Sequence, residues 1–408
     1  MTDPLAACVC EEWGRLTALL LARFRRLDLV EDALGDAVER AARSWGDAPP
    51  DNPSAWLLAT ARRRILDQLR HEEVVRRKQP LLAIEARASY EMDPLGTEVD
   101  DDLLRLVLMC AHPALEPEAA SALSLRLVLG VATADIARLF LVGEPTVAAR
   151  ITRAKKRIVG AGVPFRVPDA AALPPRIDTV AQTAYLAFTA GYAPGSGPDL
   201  LRADLSGEAI RLVRVALGLR PEEPALVALL ALQLLQHARR DARARHGRLV
   251  LLADQDRDRW HRDEIAEAQA LLESDAVRRP MSALAASYLL QARIAAEHAR
   301  ALTADDTRWG RIVELYDALL RLTASPSARL ARAVAVAEAR GPAEGLAALA
   351  AIEPMGNHRL DTVRAELLAR DGQTDAARAA YDQAIALCRN EVETAHLRRR
   401  RADLDTRI

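Results

Sequence analysis

Lysine is almost missing from this chain. Lys78, Lys155 and Lys156 are the three it has, while arginine and alanine are abundant. Such usage is what a GC-rich genome produces, so an isolated arginine says little and only a cluster carries weight. Aromatic residues make up 4% of the chain, which leaves few platforms on which unpaired bases could stack. Cys8, Cys10, Cys110 and Cys388 lack the paired spacing of a zinc site and are too few for a disulfide framework. They point to a reducing compartment with no metal centre, with Cys110 as a buried thiol and His112 as a helix-end residue. No apolar run of about 20 residues occurs and no signal peptide opens the chain, so a cytoplasmic protein without a membrane span is expected. Net charge is nearly absent as well: 56 basic against 57 acidic residues leave −1. A uniformly cationic nucleic-acid coat is excluded, and any attraction to DNA must come from local clusters.

Alternating Val/Ile/Thr runs are also missing, whereas apolar residues at three-and-four spacing recur almost everywhere. The expected fold class is all-α. The chain has 408 residues, room for two or more cores. Three stretches interrupt the helical period. Arg87–Asp102, "RASYEMDPLGTEVDDD", is polar and acidic. Gly160–Arg176, "GAGVPFRVPDAAALPPR", carries Gly and Pro that no helix interior tolerates. Gly191–Pro198, "GYAPGSGP", reads as a loop. The resulting plan is a helical module over 1–86, a linker over 87–102, a helical module over 103–160, a Pro/Gly linker over 161–176 and a helical domain over 177–408.

In the first module, "EDALGDAVERAARSW" places Leu34, Ala37, Val38, Ala41 and Trp45 on one stripe, with Asp32, Asp36, Glu39, Arg40 and Arg43 facing away. Asn52 followed by Pro53 signals a helix start, with Leu58, Ala61, Ile65 and Leu69 as its buried face. Arg62, Arg63, Arg64, Arg70, Arg76, Arg77 and Lys78 then outnumber Asp67, Glu72 and Glu73. That density suits a phosphate backbone and equally an Arg-rich solvated surface. Trp56 reads as core.

The second module holds "LGVATADIARLFLVGEPTVAARITRAKKRI". Thr133 can cap a short helix, Leu141-Val142-Gly143 makes a turn, and Pro145 fits the start of the next helix. That helix carries two parallel stripes. Val147, Ile151, Ala154 and Ile158 form an apolar one, and Thr146, Arg150, Arg153 and Arg157 repeat the spacing one residue earlier. One stripe can pack while its neighbour meets DNA, the arrangement of a helix-turn-helix.

Together "EDALGDAVERAARSW…DNPSAWLLATARRRILDQLR" and "LVLMCAHPALEPEAASALSLRLVLGVATADIARLFLVGEPTVAARITRAKKRI" resemble regions two and four of bacterial extracytoplasmic-function RNA polymerase sigma factors, in the family's order. The chain beyond Leu173 resembles the tetratricopeptide-like extension of one subgroup. The resemblance implies a non-enzyme that binds core RNA polymerase, at the clamp helices of the largest subunit and at the flap, and directs it to promoter DNA. It makes Asp32, Asp36 and Glu39 candidates for the clamp, although Gly35 stands where the motif usually has Gln and Val38 where Phe is frequent. Asp51 and Asn52 become candidates for the pocket at the −10 element, and Arg62, Arg63 and Arg70 for its backbone. Glu144, Thr146, Arg150 and Arg153 would meet the −35 element, with Lys155, Lys156 and Arg157 on phosphates. No cofactor or metal is implied.

In the last segment Gly372, Ala377, Tyr381 and Ala384 fit a tetratricopeptide hairpin, while Asp361 and Arg364 take positions expected to be apolar. A degenerate helical-repeat array is expected, serving as a regulatory domain that contacts a regulatory protein. The polar clusters Tyr185, Tyr192, Asp199, Arg202, Asp204 and Asp254, Asp256, Arg257, Asp258, Trp260 lack a suitably spaced His or Cys, so helix caps and ion pairs explain them better than catalysis. The competing reading is a helix-turn-helix regulator with a helical sensing domain that does not bind core polymerase as a sigma factor.

Overall fold

The three-and-four period becomes eighteen α-helices in the computed structural model, which describes residues 4–45, 49–78, 99–140, 142–192, 203–245, 247–353 and 357–405. The sole strands among these are a two-residue antiparallel pair, β1 (Ala244–Arg245) and β2 (Arg248–Leu249). Two compact units result, Met1–Leu186 and Ala187–Ile408. None of the described helices is long and apolar enough to cross a membrane.

In the first unit α1 (Pro4–Phe24) packs against α2 (Leu27–Ser44), α3 (Pro53–Lys78) and α4 (Val99–Cys110). Leu34, Ala37 and Ala41 of α2 are buried, with Val38 and Trp45 at the rim. On α3 the buried line is Leu57, Ala61 and Ile65. Leu58 and Leu69, expected inside, are half-buried because the face meeting α1 and α2 is centred one residue earlier. Helix α4 begins within the stretch read as linker. Arg105 pairs with Asp102 at 2.7 Å there, and residues 87–98 lie outside the described residues. Cys110 is fully buried, and desolvation pushes its thiol far up. His112 Nδ1 accepts from the Ala114 amide at 3.0 Å as a helix-end residue.

Helices α5 (Pro117–Leu127), α6 (Thr133–Phe140) and α7 (Glu144–Gly160) complete this unit together with the first part of α8 (Pro174–Tyr192). The sequence plan started the C-terminal domain at 177, but Arg176 donates to the buried Leu108 carbonyl at 3.1 Å and Thr183 to the Ser121 hydroxyl at 3.2 Å. Those bonds tie the start of α8 to the first unit. Helix α8 also runs through Gly191 and Tyr192, two residues into the expected loop; residues 193–198 lie outside the described residues.

Two glycines let α1 approach the α5–α6 turn. A Cβ on Gly14 would lie 2.1 Å from the Val128 carbonyl oxygen, and one on Gly130, at φ +64, 2.9 Å from Trp13 Cγ. Gly14→Ala must push backbone apart, so we expect a loss of about 1–3 kcal/mol or more, read as a lowered urea midpoint of the first unit.

The second unit is built from α9 (Ala203–Leu219), α10 (Pro224–His237), α11 (Arg262–Glu273), α12 (Ala283–Arg300), α13 (Trp309–Leu322), α14 (Pro326–Arg340), α15 (Pro342–Leu349), α16 (Arg359–Arg370), α17 (Thr374–Leu387) and α18 (Glu391–Asp403). From α12 onward each helix packs on the next. Gly372 supplies the left-handed turn between α16 and α17 at φ +79, and Ala377, Tyr381 and Ala384 are fully buried. Asp361 and Arg364 pair with each other at 2.7 Å, which is how polar residues occupy those positions. Of the polar clusters, Asp256 caps the Asp258 amide at 3.1 Å, while Arg257 donates to the His298 and Ala301 carbonyls at 2.7 and 2.9 Å. Asp199 and Arg202 lie outside the described residues.

His298 gives this unit an acid sensitivity. Burial, with the charges of Arg239 and Arg257 adding to it, pushes the imidazole down to about 4. The unfolded chain therefore takes up a proton near pH 6.5 that the folded unit refuses. Stability is full above 6.5 and falls as pH drops towards 4, by about 3 kcal/mol, with no further loss from this group below that. Urea midpoints of the wild type at pH 7.5 and 5 should differ more than those of His298→Gln.

Candidate nucleic-acid interface

Helix α7 displays the expected two-stripe geometry. Val147, Ile151, Ala154 and Ile158 are buried against α5 and α6, with Gly143 at the N-cap and Pro145 in the first turn. Leu141 of the preceding turn lies outside the described residues, and Thr133 is the first residue of α6. Glu144, Thr146, Arg153, Lys156 and Arg157 are exposed. Thr146, Arg153, Lys156 and Arg157 reach solvent along one side of the helix, where a DNA groove can meet them, and Glu144 is at its N-terminal end. Arg150 is different. It pairs with Glu118 of α5 at 2.9 Å and lies over the Phe140 ring, 5.6 Å from its centroid, so it ties α7 to its neighbours.

Lys155 is different again. It does not project with the phosphate-contact candidates but ion-pairs with Glu31 of α2, whose other carboxylate oxygen accepts from Arg126 Nε at 2.9 Å. Burial pushes the Lys155 ammonium below its usual range, against the pull of Asp28. The physical reason lies in the helix period: Lys155 follows buried Ala154 and stands four residues after buried Ile151, at the rim where α7 meets α2.

On the other module, Asn52 caps α3, its side-chain oxygen accepting from the Ala55 amide and the Ser54 hydroxyl, both at 3.0 Å. Asp51 is exposed beside it; residues 46–48 of the same loop lie outside the described residues. Trp56 is half-buried, edge-on to Trp45 with centroids 5.4 Å apart. An open groove of about 490 Å³ between α2 and α3 brings together Asp36, Glu39, Arg63 and Arg64. Asp36 accepts from Arg64 at 2.7 Å and Glu39 from Arg43 at 2.9 Å, all at the surface. Asp32 and Arg62 are exposed, and Arg70 pairs with Asp67 at 3.1 Å. The side chains of Arg76, Arg77 and Lys78 lie outside the described residues.

Residues 13–74 match the family model for Sigma-70 region 2, and residues 105–158 match Sigma-70, region 4. The chain belongs to the sigma-70 family. Its two matched regions are those of a promoter-recognition protein of transcription initiation. Residues 176–276 of this sigma-70 chain match a family of unknown function, DUF6596. The chain is also similar to a Rhizobium meliloti (strain 1021) protein named "Uncharacterized protein R00370", 44% identical over 394 residues that cover 93% of this chain and 90% of the relative.

The junction between the two sigma regions went unread in the sequence. Glu31 belongs to neither stripe read from the α2 sequence, yet its side chain is 12% accessible and holds two cations. Trp13 Nε1 donates to the Arg126 carbonyl at 3.1 Å, and the Arg126 guanidinium lies 5.6 Å from the Trp13 ring centroid. One signal was available: Glu31 sits four residues after Leu27 and three before Leu34, both buried. A charge on that edge needs partners.

Proposed function

We propose that the protein is a cytoplasmic alternative sigma factor of the extracytoplasmic-function kind. It binds core RNA polymerase, recognises −10 and −35 elements and supports strand opening without enzymatic activity. The observation that carries this reading is the presence, in series on one chain, of two sigma regions that each keep an exposed charged face. In region 4, Glu144 and Thr146 at the start of α7 and Arg153 near its middle address the −35 bases, and Lys156 and Arg157 hold phosphates. Arg150 positions the helix. In region 2, Arg62, Arg63 and Arg70 follow the backbone at the −10 element, and Asp51 and Asn52 border the pocket for an extruded base. Asp32, Asp36 and Glu39 face the polymerase clamp.

Elements about 25 base pairs apart are separated by about 85 Å along B-DNA, at about 3.4 Å per pair. The longest helix of the first unit, α3, has 26 residues and measures about 39 Å. In this reading polymerase docking breaks the Glu31 contact, which frees the two modules to span that distance. The C-terminal unit, a tetratricopeptide-like array in this reading, sets the activity and offers a surface to a regulatory protein.

Capture of the protein by core polymerase tests the reading, with Asp36→Arg as control. The Asp36–Arg64 pair is exposed, and such pairs contribute about 1 kcal/mol or less. Lost capture in a folded variant therefore reports docking. Equal capture of wild type and variant would contradict the clamp assignment, and no capture of either would contradict the sigma reading. For the C-terminal unit, truncation after Leu186 should change promoter output; unchanged output under all conditions would remove its regulatory role.

A further inference from the structure

Three helix ends meet in the second unit. His358 immediately precedes α16, Cys388 immediately follows α17, and Glu393 lies in the first turn of α18. One ligand atom from each, a ring nitrogen, a sulfur and a carboxylate oxygen, lie within 4.8 Å of one another. His358 Nε2 is 3.0 Å from Glu393 Oε2. We propose that His358, Cys388 and Glu393 form a binding site for a divalent transition metal, Zn²⁺ above others, with the fourth position left to water.

Geometry supports this first. Tetrahedral zinc, with bonds of about 2.0–2.1 Å to N and O and about 2.3 Å to S, spaces its ligand atoms about 3.3–3.7 Å apart. The trio reaches that spacing by opening its N–O edge a few tenths of an ångström and drawing in the sulfur. Ligand chemistry supports it next: a thiolate disfavours Mg²⁺ and Ca²⁺, and thiolate with imidazole and carboxylate suits a borderline-soft ion. The loop is also fixed before any ion arrives. Buried Asn390 accepts from the Val392 and Glu393 amides through its side-chain oxygen, both at 3.1 Å, and the Cys388 thiol donates to its carbonyl at 3.5 Å. Such outer contacts hold ligands in register.

Charge tunes the affinity. Burial alone would push the Glu393 carboxyl up, but the His358 hydrogen bond, with the charges of His358, Arg359 and Arg243, outweighs it and holds the group below its usual range. Arg359 and Arg243 also place positive charge near the three ligand atoms, which opposes a cation. On binding, the Cys388 S–H bond breaks and the sulfur lone pair goes to the metal. The His358 Nε2–H bond facing Glu393 breaks so that the ring nitrogen's lone pair goes there too; starting from imidazolium and thiol, two protons leave to solvent. The ion then joins the ends of α16, α17 and α18. A sequence search for zinc spacing misses the trio because its members come from three helix ends. The proposal does not depend on the sigma-factor reading.

The test uses untagged full-length protein, stripped by a chelator and held in a thiol-free reductant, titrated with Co²⁺. The expected result is a near-ultraviolet thiolate-to-cobalt band that saturates at one equivalent, bleaches on adding Zn²⁺ and vanishes in Cys388→Ser. His358→Gln and Glu393→Gln should each weaken Co²⁺ binding by about tenfold or more. Absence of the band in wild type overturns the proposal, as does a band that survives in Cys388→Ser and so arises at another cysteine. If far-ultraviolet circular dichroism shows Cys388→Ser to be unfolded, the other two variants decide, and wild-type Co²⁺ affinity in both overturns it.

Discussion

Replacing Glu31 by alanine is expected to lower the melting temperature of the first unit by roughly 6–12 °C, from about 3 kcal/mol lost in a unit of this size. Glu31 Oε1 accepts from Arg126 at 2.9 Å and Oε2 pairs with Lys155. Burial pushes both cations below their usual ranges, so both depend on that carboxylate for compensation. Its removal leaves two half-buried cations facing each other beside Trp13, the costly way to break such a network. Asp32→Ala, one residue along on the exposed face, should change stability little. The two substitutions separate again in transcription. If polymerase docking already breaks the junction, Glu31→Ala should keep start-site selection when bound to core enzyme despite its weaker free state. Calorimetry of the free protein alongside a transcription assay gives both readouts.

The second large effect belongs to α7. Arg153 is exposed, with its Nε donating to its own helix at the Ala149 carbonyl, 3.3 Å away. Arg153→Ala should weaken promoter binding by the polymerase holoenzyme by about 5- to 150-fold if the guanidinium reads a base, the equivalent of about 1–3 kcal/mol. Arg157→Ala, at a phosphate contact, should instead weaken binding uniformly across sequences and reduce the salt slope by about one. Lys155→Ala provides the contrast, since its partner is Glu31. It should cost stability of the first unit and leave the salt slope nearly unchanged. Filter binding over a range of salt concentrations distinguishes the three. A Lys155→Ala slope as shallow as that of Arg157→Ala would return Lys155 to the DNA face.

These contrasts also mark what sequence could and could not convey. The α7 stripes were legible because a helix repeats every three to four residues and each stripe lies within one element. The Asn52–Pro53 start of α3 was legible because capping is local chemistry. The partners of Arg150, Lys155 and Glu31 were not legible because they are set by distant residues. Glu118 lies on another helix from Arg150, and Arg126 and Lys155 stand 95 and 124 residues from Glu31. Periodicity says which face of a helix is wet and nothing about which neighbour makes it dry. The bonds from the start of α8 to the first unit were illegible for the same reason, since Arg176 and Thr183 look like ordinary helix residues until Leu108 and Ser121 are seen beneath them. Two modules in one order sufficed for the family, because a simple helix-turn-helix regulator has no use for region 2.

The most direct test is runoff transcription from sigma-free core polymerase with this protein as the added factor. A single defined start that moves or disappears when the −10 or −35 element is altered, and that fails with Asp36→Arg, is the expected result. Transcripts no different from those of core enzyme alone, across templates selected by their affinity for the protein, would contradict the account.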